Sequence, residues 1–461
     1  MSLRQKVLQG GIFLALREGF GIILSLGSIV LLTRMIGPQQ YGLYAAVFGI
    51  FTYLFSLGQF GVLVYLVRME EDQRQAYHQA FMLLLLIGVV LTGGLWLGGF
   101  FWLDRWVNLP GFEAVAKVML SALPLTLINQ VPLARLERQL DYRTIAMIEL
   151  ANQFTYNLIA LPLAFSGFGV WAMVLGWLGQ QIQDSILLFS RSRYRPHLTW
   201  QPKVVKEIVH FSLGFSAANW AFQLRALVNP LLIARFAGAE AVAYVALAVR
   251  MVDVLSFVRT STYRISISAL AQMQGQLGRL QRALSDGMNL QVLALGPLLA
   301  LASWFGPILI PHIFGAKWVP VMSVFPLIAF SALWSALFNL HSSVLYVLHR
   351  NWQVALFHIL HIVLFIGGAW LLVPRLGLMG YGWAEVATLL GYGLIHLYVT
   401  QAIGEPDYRM AFLWASAFGL SLFCYQIGWW AIIPLLFVGV WSETRQTVGQ
   451  YIRQVREANA K

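Results

Sequence analysis

Three arginines lie deep inside apolar stretches of this sequence: Arg17, Arg225 and Arg250. At the centre of a hydrocarbon layer an arginine costs about 2.5–3.5 kcal/mol on insertion scales, so it normally faces a water-filled cavity or a partner. A guanidinium in such a place can hold phosphate oxygens through two parallel hydrogen bonds. Arg17 shares a helical face with Gly10, Gly21 and Ser28, a small polar stripe suited to a groove. Around Arg225 the choice stays open between a face of Gly214, Ala218 and Ala221 and one of Ser212, Ser216, Asn219 and Gln223.

Acids share these stretches. Glu18 follows Arg17, and Asp253 stands three residues after Arg250, a spacing at which helical side chains pair, so Arg250 reads equally as half of a structural ion pair. Glu149 forms a stripe with Asn152, Gln153 and Tyr156, and Glu385 one with Thr388, Tyr392 and His396. A carboxyl held out of water can carry a coupling proton; the same stripes also suit hydrogen bonding between helices. His358 and His361 are one turn apart without further metal ligands in reach of the pattern, so they read as packing residues. No nucleophile motif, phosphate-cradling glycine loop or nucleotide-binding segment stands out, and no cofactor or metal is called for.

The elements that must position these residues are membrane helices. Of 461 residues 59% are hydrophobic and 11% charged, against roughly a quarter charged in soluble domains. The apolar runs reach the roughly 20 residues a helix needs to cross a bilayer and exceed the roughly ten of a barrel strand. The N-terminus has a basic start, but its apolar run continues to Leu32 with no small-residue cleavage site, which predicts a first span rather than a removed leader. Cys424 is alone, which excludes an internal disulfide and a thiolate metal cage. The net charge of +12 comes from short loops between apolar runs and gives no sign of nucleic-acid binding.

Apolar runs bounded by charge, Gly or Pro predict fourteen spans, the last two, near 410–426 and 429–442, being short. With the N-terminus cytoplasmic, the outer loops hold Arg34, Arg105, Lys117, Arg235, Lys317 and Arg375, and the other loop arginines and lysines fall inside. The basic tail 445–461 then also lies inside, which requires an even number of spans.

The chain also repeats. Placing Gly37 against Gly238 superposes Arg34 on Arg235 at an offset of 201 residues. A second echo pairs Gly169-Val170-Trp171-Ala172 with Gly380-Tyr381-Gly382-Trp383. An even number of spans per repeat relates the halves by an axis along the membrane normal, a layout of transporters. The expected fold is an all-α membrane protein of about fourteen helices. Residues 1–200 form a six-helix bundle with the basic cytoplasmic linker 191–203, and 201–402 form a second, pseudo-symmetric bundle around a central cavity. Residues 403–461 add a peripheral helix pair and the tail.

TRMIGPQQYG at 33–42 resembles the Gly-Pro-x-x-Tyr-Gly turn of bacterial polysaccharide flippases, the polysaccharide-transporter branch of the multidrug/oligosaccharidyl-lipid/polysaccharide (MOP) exporter superfamily. FGV at 60–62, GFGVWA at 167–172 and AYVALAVRMVD at 243–253 are similar to further segments of that branch. One departure is YRISISAL at 263–270, where such proteins often carry a proline.

The resemblance implies translocation of a polyprenyl-diphosphate-linked oligosaccharide to the outer leaflet for surface polysaccharide synthesis, by alternating access and driven by an ion gradient. Arg17, Arg225 and Arg250 would then bind the diphosphate, and Glu18, Glu149, Asp253 and Glu385 are the ion-coupling candidates. It implies the bacterial inner membrane, membrane lipids as surroundings, and a polymerase and chain-length proteins as partners. A lipid II flippase shares the span number and a cationic cavity and remains an alternative. A multidrug exporter of the superfamily would have twelve spans and lack the turn. A polymerase or ligase would carry a long outer loop, whereas every outer loop expected here is about ten residues or fewer.

Overall fold

The computed structural model describes residues 27–69, 74–256, 270, 273 and 275–459. Arg17 and Glu18 lie outside these, as does YRISISAL up to Ala269. Among the described residues the secondary structure is helical, without strands.

Helix α1 (Gly27–Ile36) ends at Gly37, whose φ of 80° and ψ of 168° only a glycine adopts without strain. Pro38 then opens α2 (Pro38–Gln59), a first-turn position where its missing N–H costs nothing. Next come α3 (Val62–Arg68), α4 (Arg74–Val107) and α5 (Phe112–Arg138). Helix α6 (Tyr142–Phe165) is capped by Asp141, whose side chain accepts from the Thr144 N–H at 3.2 Å. Helix α7 (Val170–Ser192) starts at Gly169. An extended segment leads to α8 (Pro202–Gln223), followed by α9 (Leu224–Leu255). Then come α10 (Leu277–Ile313), α11 (Val321–Val347), α12 (Asn351–Leu376) and α13 (Leu378–Ile403). The chain ends with α14 (Arg409–Ser421), α15 (Trp429–Val440) and α16 (Ser442–Asn459).

Among the described residues eight helices are long and apolar enough to cross a membrane: α2, α4, α5 and α9 to α13. Helices α6 and α7, of 24 and 23 residues, are long enough but too polar to qualify. That polarity is concentrated in the side chains that build the cavity described below.

The chain forms two compact units, one running to Tyr244 and including 313–317, the other comprising 245–312 and 318–461. The basic linker and α8 thus pack within the first unit, where the sequence repeat divides at residue 200.

Gly238 interrupts α9 with φ 83° and ψ 177°, the backbone of its repeat mate Gly37. The second echo shifts: the glycine that opens a helix as Gly169 does (φ 57°, ψ −129°) is Gly377 (φ 56°, ψ −128°), three residues before Gly380. The recurring glycine and tryptophan letters had favoured the wrong turn, because a shift of three residues keeps nearly the same helix face.

The Gly37 and Gly238 turns also meet. A Cβ on Gly42 would stand 1.7 Å from the Ala239 carbonyl oxygen and 3.2 Å from the nitrogen of Ala243. Glycine lets α2 and α9 cross at this distance, as small residues do at helix contacts in lipid. Helices α6 and α7 pair the same way, through Gly176 against Ala160 and the Tyr156 carbonyl.

Candidate functional site

Tyr41, Tyr44, Phe48, Phe51, Thr52 and Phe55 recur at helical spacing along one face of α2 and line a cavity of about 550 Å³ in the first unit. Facing them are Asn129 and Gln130 of α5, Gln153, Tyr156 and Asn157 of α6, and Trp177, Gln180, Gln181 and Asp184 of α7. Ser28 and Leu32 of α1 complete the lining. The Trp177 ring meets Phe51 edge-on at 4.7 Å between centroids.

Asp184 is the one carboxylate among the described lining residues. Asn152 Nδ2 donates to its Oδ1 at 2.6 Å and Asn129 Nδ2 to its Oδ2 at 3.3 Å. Both asparagines are buried. Two more polar links fix the frame: Gln59 Nε2 donates to Gln130 Oε1 at 3.1 Å, and Thr155 donates to Gln183 across α6 and α7.

The remaining amide oxygens are left over. Asn129 Oδ1, Asn152 Oδ1, Gln153 Oε1 and Asn157 Oδ1 are buried acceptors that meet no donor among the described residues. Buried polar atoms ordinarily find a partner. A carboxylate in a cavity with several buried amide oxygens is chemically suited to take up a proton or a small hard cation, which prefers oxygen ligands.

The sequence candidates fall in several places. Asn152, Gln153 and Tyr156 all belong to the cavity, directly or through Asp184, whereas Glu149 on the same helix is not among the lining residues. Glu385 is buried in the second unit, at 2% exposure, with Ser331 Oγ 3.2 Å from its carbonyl oxygen and 3.5 Å from its Oε2. Arg225 is half-buried in the first turn of α9, in the first unit, and Arg250 and Asp253 are exposed further along α9, in the second. Asp184 was missed. Its signal was the run Gln180-Gln181-Ile182-Gln183-Asp184 inside an otherwise apolar span.

The second unit has its own cavity of about 410 Å³, lined by Phe330, Trp334, Phe338, Leu389, Tyr392 and His396 among others. Beside it the Tyr408 hydroxyl lies 2.6 Å from His341 Nε2 and 2.9 Å from His396 Nδ1.

The helical fold is one shared with solved membrane transporters. A solved structure of the lipid II flippase MurJ in an inward closed conformation has a TM-score of 0.75 at 12% identity, covering 96% of this chain and 99% of that one. An inward-facing multidrug resistance MATE family transporter of the MOP superfamily has a TM-score of 0.69 at 16% identity, covering 82% and 94%. The model of the family described as "Polysaccharide biosynthesis protein" matches residues 31–323, more than half of the chain, and the chain belongs to this family.

Among curated relatives, the succinoglycan biosynthesis transport protein ExoT of Rhizobium meliloti (strain 1021) is 24% identical over 66% of this chain, which spans 62% of that relative's length. The lipopolysaccharide biosynthesis protein WzxC of Escherichia coli (strain K12) is 24% identical over 86% of this chain and 80% of its own.

Proposed function

We propose that this protein is a flippase that moves a polyprenyl-diphosphate-linked oligosaccharide from the cytoplasmic to the outer leaflet for surface polysaccharide synthesis. The observation that carries this reading is the family match over residues 31–323. ExoT, named as a succinoglycan transport protein, and WzxC, named for lipopolysaccharide biosynthesis, support it. So do the long apolar helices and the MOP fold.

In this reading the chain has fourteen spans in two six-helix repeats plus a terminal pair, sits in the bacterial inner membrane with both termini cytoplasmic, and works by alternating access. Arg17, Arg225 and Arg250 contact the diphosphate as it passes, since guanidinium forks match phosphate oxygens and an intramembrane positive charge offsets the anion. Asp184 is the first candidate for the coupling ion, because its carboxylate sits between two amide donors in a cavity rich in unused acceptors. Glu18, Glu149, Asp253 and Glu385 are further coupling candidates. Polymerase and chain-length proteins would receive the product.

The test is deletion in the native host with analysis of lipid-linked and surface glycans. Accumulation of completed lipid-linked repeat units on the cytoplasmic leaflet, with surface glycan lost, is the expected result. Normal surface glycan would overturn the reading, and repeat units that reach the outer leaflet unpolymerised would identify a polymerase instead.

A further inference from the structure

The basic linker of the first unit has a structure of its own. After α7 the chain runs without helix from Tyr194 to Gln201 and is bonded along the first turns of α4. The Tyr194 hydroxyl donates to the Tyr77 carbonyl at 3.1 Å, and the His197 N–H donates to His78 Nδ1 at 3.3 Å. Gln79, fully buried, donates to Thr199 Oγ1 at 3.0 Å and accepts from the Gln201 N–H at 2.7 Å. Arg135, at the end of α5, donates to the Arg193 carbonyl at 3.4 Å. A segment held this way is a wall of the unit.

The wall encloses a cleft of about 270 Å³ lined by Arg74, Arg135, Arg193 and Arg195 with His78, His197, Tyr77 and Tyr194. Among the described lining residues there is no carboxylate. Because His78 Nδ1 accepts from the His197 backbone, the ring hydrogen of neutral His78 sits on Nε2, a further donor. Burial pushes the Tyr194 phenol well above its ordinary value, so its hydroxyl adds no negative charge. Arg74 opens α4, whose N-terminal end carries the positive pole of the helix. Arg74, Arg193 and Arg195 reach solvent and Arg135 is half-buried, so the cleft gathers positive charge at the surface of the unit.

We propose that this cleft, at the end of the helices that the basic-residue count assigns to the cytoplasm, binds the phosphate or diphosphate group of a ligand at the membrane surface. Planar guanidinium forks and a histidine N–H are the donor set for phosphate oxygens, and a lone lysine-type point charge would not give that geometry. Two sources share this chemistry: the headgroup of an anionic membrane lipid, and the diphosphate of a polyprenyl carrier. The second source rests on the flippase reading; the site itself does not.

The experiment uses the full chain in phosphatidylcholine nanodiscs, titrated with inorganic pyrophosphate by calorimetry. Saturable binding is expected, weakened at least about tenfold in Arg193→Gln/Arg195→Gln, two exposed positions, and unchanged in Arg375→Gln. Arg135→Lys, which keeps the charge and loses the fork, should fall between. Absent saturable binding, or equal binding by wild type and the double variant, would overturn the proposal. Phosphatidylglycerol in the nanodisc, or polyprenyl diphosphate in its place, then competes with pyrophosphate according to which source the site takes. Competition by either supports the site, and because the readout is binding, failure of transport in other assays cannot imitate a negative result here.

Discussion

Asp184 and Tyr392 stand 208 residues apart, the interval that separates the helix-opening glycines Gly169 and Gly377. These two positions, one in each unit, have opposite chemistry. In the first, a carboxylate accepts from two asparagine amides in a cavity of about 550 Å³ edged by glutamines and tyrosines. In the second, a phenol ring stacks on Phe338 at 4.7 Å, and its neighbours Phe357 and His361 lie at 5.5 and 5.8 Å between centroids. Beside that ring the Tyr408 hydroxyl bridges two histidines. The two glycine turns share one backbone conformation, while the side chains that follow them differ. At the first position a carboxylate meets amide donors, and at the second aromatic rings pack.

The comparison breaks most severely at the helix crossing of the first unit. Gly42→Ala puts a methyl carbon 1.7 Å from a backbone oxygen, a clash no rotamer change relieves. Overpacking ordinarily costs about 1–3 kcal/mol, and a backbone partner places this case at or above the top of that range. Membrane abundance should collapse, as read by immunoblot of isolated membranes. Gly393→Ala in the second unit, where an added Cβ meets nothing within 4 Å, should leave abundance unchanged. Equal abundance of the two variants would show that the α2–α9 crossing is not required.

Exchange of chemistry between the two positions comes next. Asp184→Asn should abolish gradient-driven transport in proteoliposomes while the protein stays folded, because asparagine is nearly isosteric and cannot carry a negative charge. Tyr392→Phe should transport normally. If Tyr392→Phe lost coupling and Asp184→Asn kept it, the coupling role would move to the second unit.

A smaller effect is expected at Asn152, whose amide donates to Asp184 at 2.6 Å. A hydrogen bond to a charged group contributes about 1.5–3 kcal/mol. Asn152→Leu should therefore weaken the apparent affinity for the coupling ion at least about tenfold while maximal rate persists at high concentration. An unchanged ion titration would detach Asn152 from the mechanism.

The smallest change is expected at Tyr408. Tyr408→Phe removes the bridge between His341 and His396 and should lower stability by about 1–2 kcal/mol, seen as a modest drop in Tm with transport retained. Loss of transport at normal Tm would make the second unit's polar cluster a functional site after all.

Much of this was legible from residue order. The lengths of apolar runs determine that the chain is helical and membrane-spanning, since backbone groups in hydrocarbon must be satisfied within each segment. Gly37 and Gly238 marked the repeat because a backbone with positive φ accepts few residues besides glycine, and the structure gives both the same conformation. The stripe of Asn152, Gln153 and Tyr156 pointed at the cavity because helical spacing alone puts those side chains on one face.

What the sequence by itself could not decide was which faces meet. The register of the second echo was three residues off, since one turn of helix looks alike in letters and only the backbone at Gly377 separates them. The turn and the GFGVWA segment read as separate family marks, yet Gln40 of the first accepts from the Val170 N–H of the second at 3.2 Å, so one caps the other's helix. Asp184 drew no notice because an aspartate's role depends on its neighbours, and these come from α5 and α6, 55 and 32 residues away in the chain. Periodicity is a property of one helix and is written locally; a site is a property of several helices, and its partners are chosen only when packing brings distant segments within the few ångströms over which hydrogen bonds act.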